Sequence, residues 1–139
     1  MAVNKITTKD YGKKDVRSLV EQIDYLLQEE GDFNAEAEFA IFASGLFDID
    51  IKYFPVDMNK VYTIVKILAT TGELPSTQMK EVRSELVKMD ELLFDGSYEL
   101  VKLRLVSKPV STIYGDYYAP YRIEIVAAKT TGGAWIYLE

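Results

Sequence analysis

The chain has 139 residues, of which 48% are hydrophobic and 27% charged, with a net charge of −6, as in one globular domain of ordinary size. It contains no histidine and no cysteine, which excludes disulfides, Cys/His zinc sites and the Ser–His or Cys–His pairs of nucleophilic catalysis. The groups that could still act in catalysis are carboxylates, lysine, tyrosine or a metal ion held by oxygen ligands.

The first thirteen residues show no clear hydrophobic period, and we expect them to form either a flexible tail or an edge strand. No apolar run of the secretory type follows the N-terminal residues. No apolar stretch approaches the roughly 18 residues that a membrane span needs. Together these features favour a cytoplasmic protein that does not associate with a membrane.

An amphipathic helix is predicted from Lys14 to Glu30. Its apolar residues recur at the i, i+3, i+4, i+7 spacing of one helix face. They are Val16, Leu19, Val20, Ile23, Leu26 and Leu27. Gly31 suits the left-handed backbone position that commonly ends a helix.

Residues 35–54 allow two interpretations. Apolar and other residues alternate over 35–43 and again over 47–54, on either side of Ser44-Gly45, which is typical of a β-hairpin. The first run could instead be a helix, because Phe39, Phe42 and Leu46 also lie at helical spacing. We favour the hairpin, since the alternation continues on both sides of the break.

Two further helices are predicted after this region. Asp57 is placed to cap a helix over residues 58–71, which Gly72 ends. A longer helix follows Leu74-Pro75-Ser76, and its apolar residues keep a 3-4-3-4 spacing. They are Met79, Val82, Leu86, Met89 and Leu93. This spacing predicts a seam that packs nearly antiparallel against another helix of the same domain.

The C-terminal third reads as an antiparallel meander. We predict a strand over 98–106, a break at Lys108-Pro109, a short edge strand over 110–114, and a hairpin formed by 121–128 and 134–138. The whole chain is therefore expected to be one α+β domain over residues 1–139. Its antiparallel sheet would combine the N-terminal hairpin with the C-terminal meander and pack against about three helices.

Two features of the sequence predict binding to another protein. Between residues 21 and 50 the chain carries nine carboxylates and no lysine or arginine, whereas residues 1–17 are basic; this favours a basic partner or self-association. Four tyrosines crowd into residues 114–121, and tyrosine in a loop is typical of interfaces. The predicted partner-binding residues are Glu29, Glu30, Asp32, Glu36, Glu38, Tyr114, Tyr117, Tyr118 and Tyr121.

A metal site is the alternative. If residues 47–54 form a strand, Asp48, Asp50 and Lys52 share one face, where the carboxylates could hold Mg²⁺ or Mn²⁺ and the lysine could stabilise a transition state. The acidic-x-Lys spacing resembles half of the motif of restriction-type nucleases, and the other half is not recognisable. A basic surface for nucleic acid is also lacking.

The first functional hypothesis is therefore a small acidic interaction module of accessory, immunity or inhibitor type, without catalytic activity or cofactor. The alternatives are a Mg²⁺- or Mn²⁺-dependent hydrolase of nuclease type and a structural subunit of a homo-oligomeric assembly.

Overall fold

The computed structural model describes residues 3–29 and 32–138, and for 75–78 the backbone alone. Within these residues the chain forms four helices and four strands. In chain order they are β1 (Lys5–Tyr11), α1 (Lys13–Gln28), α2 (Phe33–Leu46), α3 (Met58–Thr70), α4 (Pro75–Asp95), β2 (Tyr98–Thr112), β3 (Gly115–Thr130) and β4 (Trp135–Tyr137). The predicted α+β class is confirmed.

The four strands form one curled antiparallel sheet in the order β1-β2-β3-β4. The C-terminal meander is present as predicted, with β2 paired to β3 and β3 to β4. The predicted N-terminal hairpin is absent. The strand next to β2 is instead β1, which pairs from Lys5↔Ser107 to Tyr11↔Val101 and forms an edge of the sheet.

Residues 33–46 form a helix, so the strand predicted over 35–43 is wrong. The Asp32 carboxylate caps this helix by accepting a hydrogen bond of 2.8 Å from the Asn34 N–H. Ala35, Ala37, Ala40 and Ala43 are all buried, on different sides of the helix. A helix buried on several sides lacks a single apolar stripe, so its sequence does not show the helical period clearly.

The second strand of that hairpin, over 47–54, is also wrong: these residues form turns and irregular structure. Asp48 adopts a left-handed backbone conformation with φ of 55°, which breaks an extended chain. The Asp50 carboxylate accepts a hydrogen bond of 2.9 Å from the Lys52 N–H, as in a side-chain-stabilised turn. Local polar contacts therefore override the alternating pattern.

Strand β2 continues through Pro109, where a break was predicted. Pro109 lies opposite Tyr118 of β3, and the Tyr118 N–H donates away from β2, to the Tyr53 carbonyl, over 2.7 Å. Pro109 and Tyr118 therefore form a non-hydrogen-bonded pair, in which the backbone nitrogens of both residues point away from the partner strand. A proline at such a position does not remove a hydrogen bond between β2 and β3. Pairing with β1 also ends at Ser107, before the proline.

The predicted seam of α4 packs against α1, and the two helices run antiparallel. Arg17 pairs with Asp90 at 3.4 Å and Asp24 with Arg83 at 2.5 Å, so residue numbers rise along α1 as they fall along α4. The seam residues Met79, Leu86, Met89 and Leu93 join the apolar face of α1 in one buried cluster. Helix α1 ends at Gln28, and Gly31 lies outside the described residues.

A second buried cluster lies between α2, α3 and the far end of the β2–β3 ribbon. It includes Phe54, Ile64 and Leu68 on the helical side, and Val110 and Tyr121 on the sheet. Helix α2 contributes alanines to both clusters and so lies between them. This second cluster supports the end of the ribbon where the tyrosines are found.

Replacing Leu86 with alanine tests the α1–α4 seam. Leu86 is fully buried, and removing a buried leucine side chain costs about 2–5 kcal/mol because it leaves a cavity. We expect chemical denaturation to show a loss of unfolding free energy in this range. Ser84→Ala, an exposed position on the same helix, should change it by less than about 0.5 kcal/mol. Equal effects of the two substitutions would contradict the packing.

Candidate protein-binding surface

The predicted acidic residues differ in how accessible they are to a partner. Glu36 is completely buried in α2, so it cannot contact a partner, and this prediction is wrong. Glu29 and Glu38 are exposed, and Glu30 lies outside the described residues. Asp32 is exposed, but its carboxylate caps α2.

Glu38 of α2 lies near Tyr25 of α1. The negative charge of Glu38, some desolvation and hydrogen bonding to Glu38, with smaller contributions from Glu29 and Asp32, raise the pKa of Tyr25 above its ordinary value of 10.0. The carboxylates of Glu29, Asp32 and Glu38 therefore all lie near Tyr25.

The residues of the metal hypothesis have other contacts. Asp48 forms an ion pair with Lys9 of β1, and Asp50 stabilises its own turn. Because residues 47–54 are not a strand, the alternation that was to align Asp48, Asp50 and Lys52 is lost. Among the described residues, no group of three or more aspartates or glutamates could hold a metal ion.

The four clustered tyrosines divide into one buried and three accessible residues. Tyr121 is buried in the second cluster, and its hydroxyl accepts a hydrogen bond of 3.4 Å from the Asn4 side chain. Tyr114 is exposed, and Tyr117 and Tyr118 are half-buried. The Tyr117 hydroxyl donates to the Tyr114 carbonyl over 3.3 Å, which ties the side chain to the turn of the hairpin.

A fifth tyrosine, which the sequence did not single out, completes this group. The Tyr53 carbonyl accepts the Tyr118 N–H, and the two rings meet edge to face at 6.3 Å between centroids and 67° between planes. This geometry is one that aromatic pairs prefer. The loop between α2 and α3 is thereby joined to the β2–β3 hairpin.

Two lysines lie over these rings. The Lys5 Nζ is 3.5 Å from the centroid of the Tyr53 ring and 5.9 Å from that of Tyr118. The Lys52 Nζ is 5.0 Å from the Tyr53 centroid. Each distance is within the range of a cation–π interaction, in which an ammonium group is attracted to the face of an aromatic ring.

Between the loop and the hairpin lies an open groove of about 550 Å³. It is lined by Lys52, Tyr53, Pro109, Val110, Ser111, Asp116, Tyr117 and Tyr118. Its lining combines aromatic and apolar surface with a few polar groups, which is typical of binding sites.

Apolar side chains are exposed beside this groove, on the same two segments. At the tip of the hairpin, Ile113 is 89% exposed and Tyr114 48%. Ile51 and Val56 on the loop, and Met58 at the start of α3, are also exposed. We call the groove lining together with Ile51, Ile113 and Tyr114 the tyrosine face. Exposed apolar side chains around an aromatic groove are typical of an interaction site.

Comparisons of this chain with protein-family models, with curated proteins and with solved structures found no match. No helix in the described part of the chain is both long and apolar enough to cross a membrane.

Glu38→Gln tests the contact between α1 and α2. The variant removes the charge that favours protonated Tyr25, so we expect the Tyr25 pKa to fall toward 10.0. In the wild type the contact stabilises the fold below the pKa of unfolded tyrosine and is lost as pH rises through the higher, folded pKa. NMR titration of the Tyr25 ring measures both pKa values. Glu21→Gln is the control, since Glu21 is exposed on the helix that carries Tyr25 but is not among the causes of its raised pKa. An unchanged Tyr25 pKa in Glu38→Gln would contradict the contact.

Proposed function

We propose that this protein is a non-catalytic interaction module that binds a protein partner through its tyrosine face. The observation that carries the proposal is the open groove between Tyr53 and the hairpin, together with the exposed Ile113 and Tyr114 at the tip of that hairpin. An accessory, immunity or inhibitor role in the cytoplasm fits the size and acidity of the chain.

The tyrosine face has the composition of an energetically productive interface. Tyrosine side chains can be buried against a partner at little cost in conformational entropy, because a tyrosine has only two side-chain torsions. Tyr53 and Tyr118 are already held by a backbone hydrogen bond and by each other. A surface ordered before binding loses less freedom when the partner arrives, and this supports affinity.

The charge at the groove points to the chemistry of the partner. Lys5 and Lys52 lie at the Tyr53 ring, against the single carboxylate of Asp116 in the groove lining. We therefore propose that the partner segment seated here carries carboxylates beside apolar side chains. This differs from the basic partner that the acidic segment predicted from sequence.

Two matched tyrosine substitutions test the proposal. Tyr114 lies at the hairpin tip next to the groove residue Tyr117, which donates a hydrogen bond to its carbonyl, whereas Tyr137 is 67% exposed on β4. A partner is first captured from source-cell lysate with the wild-type protein and identified, and its affinity is then measured with purified proteins. We expect Tyr114→Ala to weaken binding about tenfold or more, because it removes a large exposed aromatic side chain of the tyrosine face, and Tyr137→Ala to leave it within about twofold.

A third variant, Glu21→Lys with Glu29→Lys, separates the tyrosine face from the acidic segment. Both carboxylates are exposed in α1 or directly after it. Retained affinity of this variant supports the tyrosine face. If the charge variant loses the partner while Tyr114→Ala keeps it, the acidic segment is the binding surface and the present proposal fails.

A further inference from the structure

The outer edge of β3 is covered at both ends and open in the middle. Towards its C-terminal end, β4 pairs with Ala127–Lys129, and the Leu138 N–H donates to the Val126 carbonyl over 2.9 Å. At the other end, the Tyr118 N–H is bonded to Tyr53. Between them, over residues 119–125, no backbone hydrogen bond from another described segment reaches this edge.

A slot of about 340 Å³ follows this open edge. Its lining comprises Arg122, Ile123, Glu124 and Ile125 of β3, Glu81, Val82 and Glu85 of α4, and Leu138. Successive side chains of a strand point to opposite faces of the sheet. A cavity lined by four consecutive residues of one strand therefore lies along its edge, with α4 as the opposite wall.

The charges of the slot differ between its two walls. On β3, Glu124 is neutralised, since its carboxylate oxygens lie 2.6 Å from the Arg104 Nε and 2.9 Å from the Arg122 Nε. On α4, Glu81 and Glu85 are exposed. Glu85 lies 3.5 Å from the ammonium group of Lys88, which is also exposed. Two glutamates against Lys88 leave the α4 wall with a net negative charge, whereas two arginines against Glu124 leave the β3 wall positive. Val82 and Leu138 add accessible apolar surface.

We propose that this slot binds an extended, basic segment of a protein partner as an added β-strand. The main chain of the segment pairs with the outward backbone groups of β3 between residues 121 and 125, as in other cases of strand addition, because Pro120 has no N–H to donate. The lysine or arginine side chains of the segment, on the face turned towards α4, meet Glu81 and Glu85, and the intervening apolar side chains lie on the opposite face of the sheet. The open edge spans seven residues, so an extended segment that follows it is about 23 Å long at 3.3 Å per residue.

This site is distinct from the tyrosine face in both position and charge. Its lining shares no residue with the groove of the tyrosine face. The tyrosine face carries lysines at its rings, whereas the α4 wall of the slot carries carboxylates. The slot therefore offers a basic partner a surface other than the acidic segment from which such a partner was predicted.

Synthetic nine-residue peptides test the proposal on the full chain. One peptide alternates lysine and valine, the second alternates glutamate and valine, and the third is the lysine peptide with alternate amides N-methylated so that one edge cannot donate hydrogen bonds. We expect the lysine peptide alone to bind, and backbone amides within 119–125 that point away from β2 to exchange more slowly with solvent, as measured by NMR.

Charge reversal on α4 supplies the matched variants. Glu81→Lys with Glu85→Lys changes two exposed residues of the slot, and Asp15→Lys with Glu91→Lys changes two exposed carboxylates outside it by the same net charge. We expect the first pair to weaken the lysine peptide about tenfold or more and the second by less than about twofold. Circular dichroism verifies that both variants fold.

Three results would overturn the proposal. They are no binding of the lysine peptide at millimolar concentration, equal binding of the N-methylated peptide, and binding without added amide protection in residues 119–125. The last two would show an attraction between charges on the surface, without strand addition.

Discussion

The long antiparallel pairing of β2 with β3 is the constraint on which the rest of the structure depends. It extends from Tyr98↔Thr130 to Thr112↔Gly115, whereas β1 and β4 pair over much shorter stretches. Three register shifts interrupt the ladder, and such irregularities bend and twist a ribbon. The ribbon therefore curls. Its hairpin end extends beyond both neighbouring strands, and the middle of the outer β3 edge is not paired with β4. The groove and the slot lie where those neighbours are missing.

The loop between α2 and α3 fills one of these positions without forming regular structure. It is held by the Asp50 turn, by the Asp57 cap of α3 and by the bond from Tyr118 to Tyr53. Because each of these contacts involves backbone groups, the path of the loop is defined even though its side chains Ile51 and Val56 face solvent. A fixed backbone with exposed apolar side chains is a suitable basis for recognition of a partner.

How much of this could be predicted from the sequence depends on how evenly each element is buried. Helices α1, α3 and α4 have one apolar face each, so their spacing predicted them. Helix α2 is buried on several sides, and its alanines and phenylalanines fit an alternating pattern as well as a helical one. Residues 47–54 alternate without forming a strand, since the backbone of Asp48 and the turn at Asp50 depend on local geometry that a hydrophobic pattern does not contain.

The candidate site was predictable to a similar extent. Tyr114, Tyr117 and Tyr118 stand close together in the sequence and were found by their clustering. Tyr53 and Lys5 reach the same place only through the fold, and no sequence spacing connects them. The acidic segment was a poor guide to the binding surface, because a count of carboxylates does not show which of them are available to a partner. Asp32 caps a helix, Asp48 forms an ion pair with Lys9, and Glu36 is buried.

Amide hydrogen exchange of the protein, measured by NMR without and with its captured partner, tests the central claim most directly. In the free protein, the account predicts slow exchange of the Tyr118 amide, because it is bonded to the Tyr53 carbonyl. With the partner present, new protection should appear at Ile51 and at the hairpin tip around Ile113 and Tyr114. Fast exchange of the free Tyr118 amide, or new protection confined to residues 21–38, would contradict a preformed tyrosine face as the binding surface.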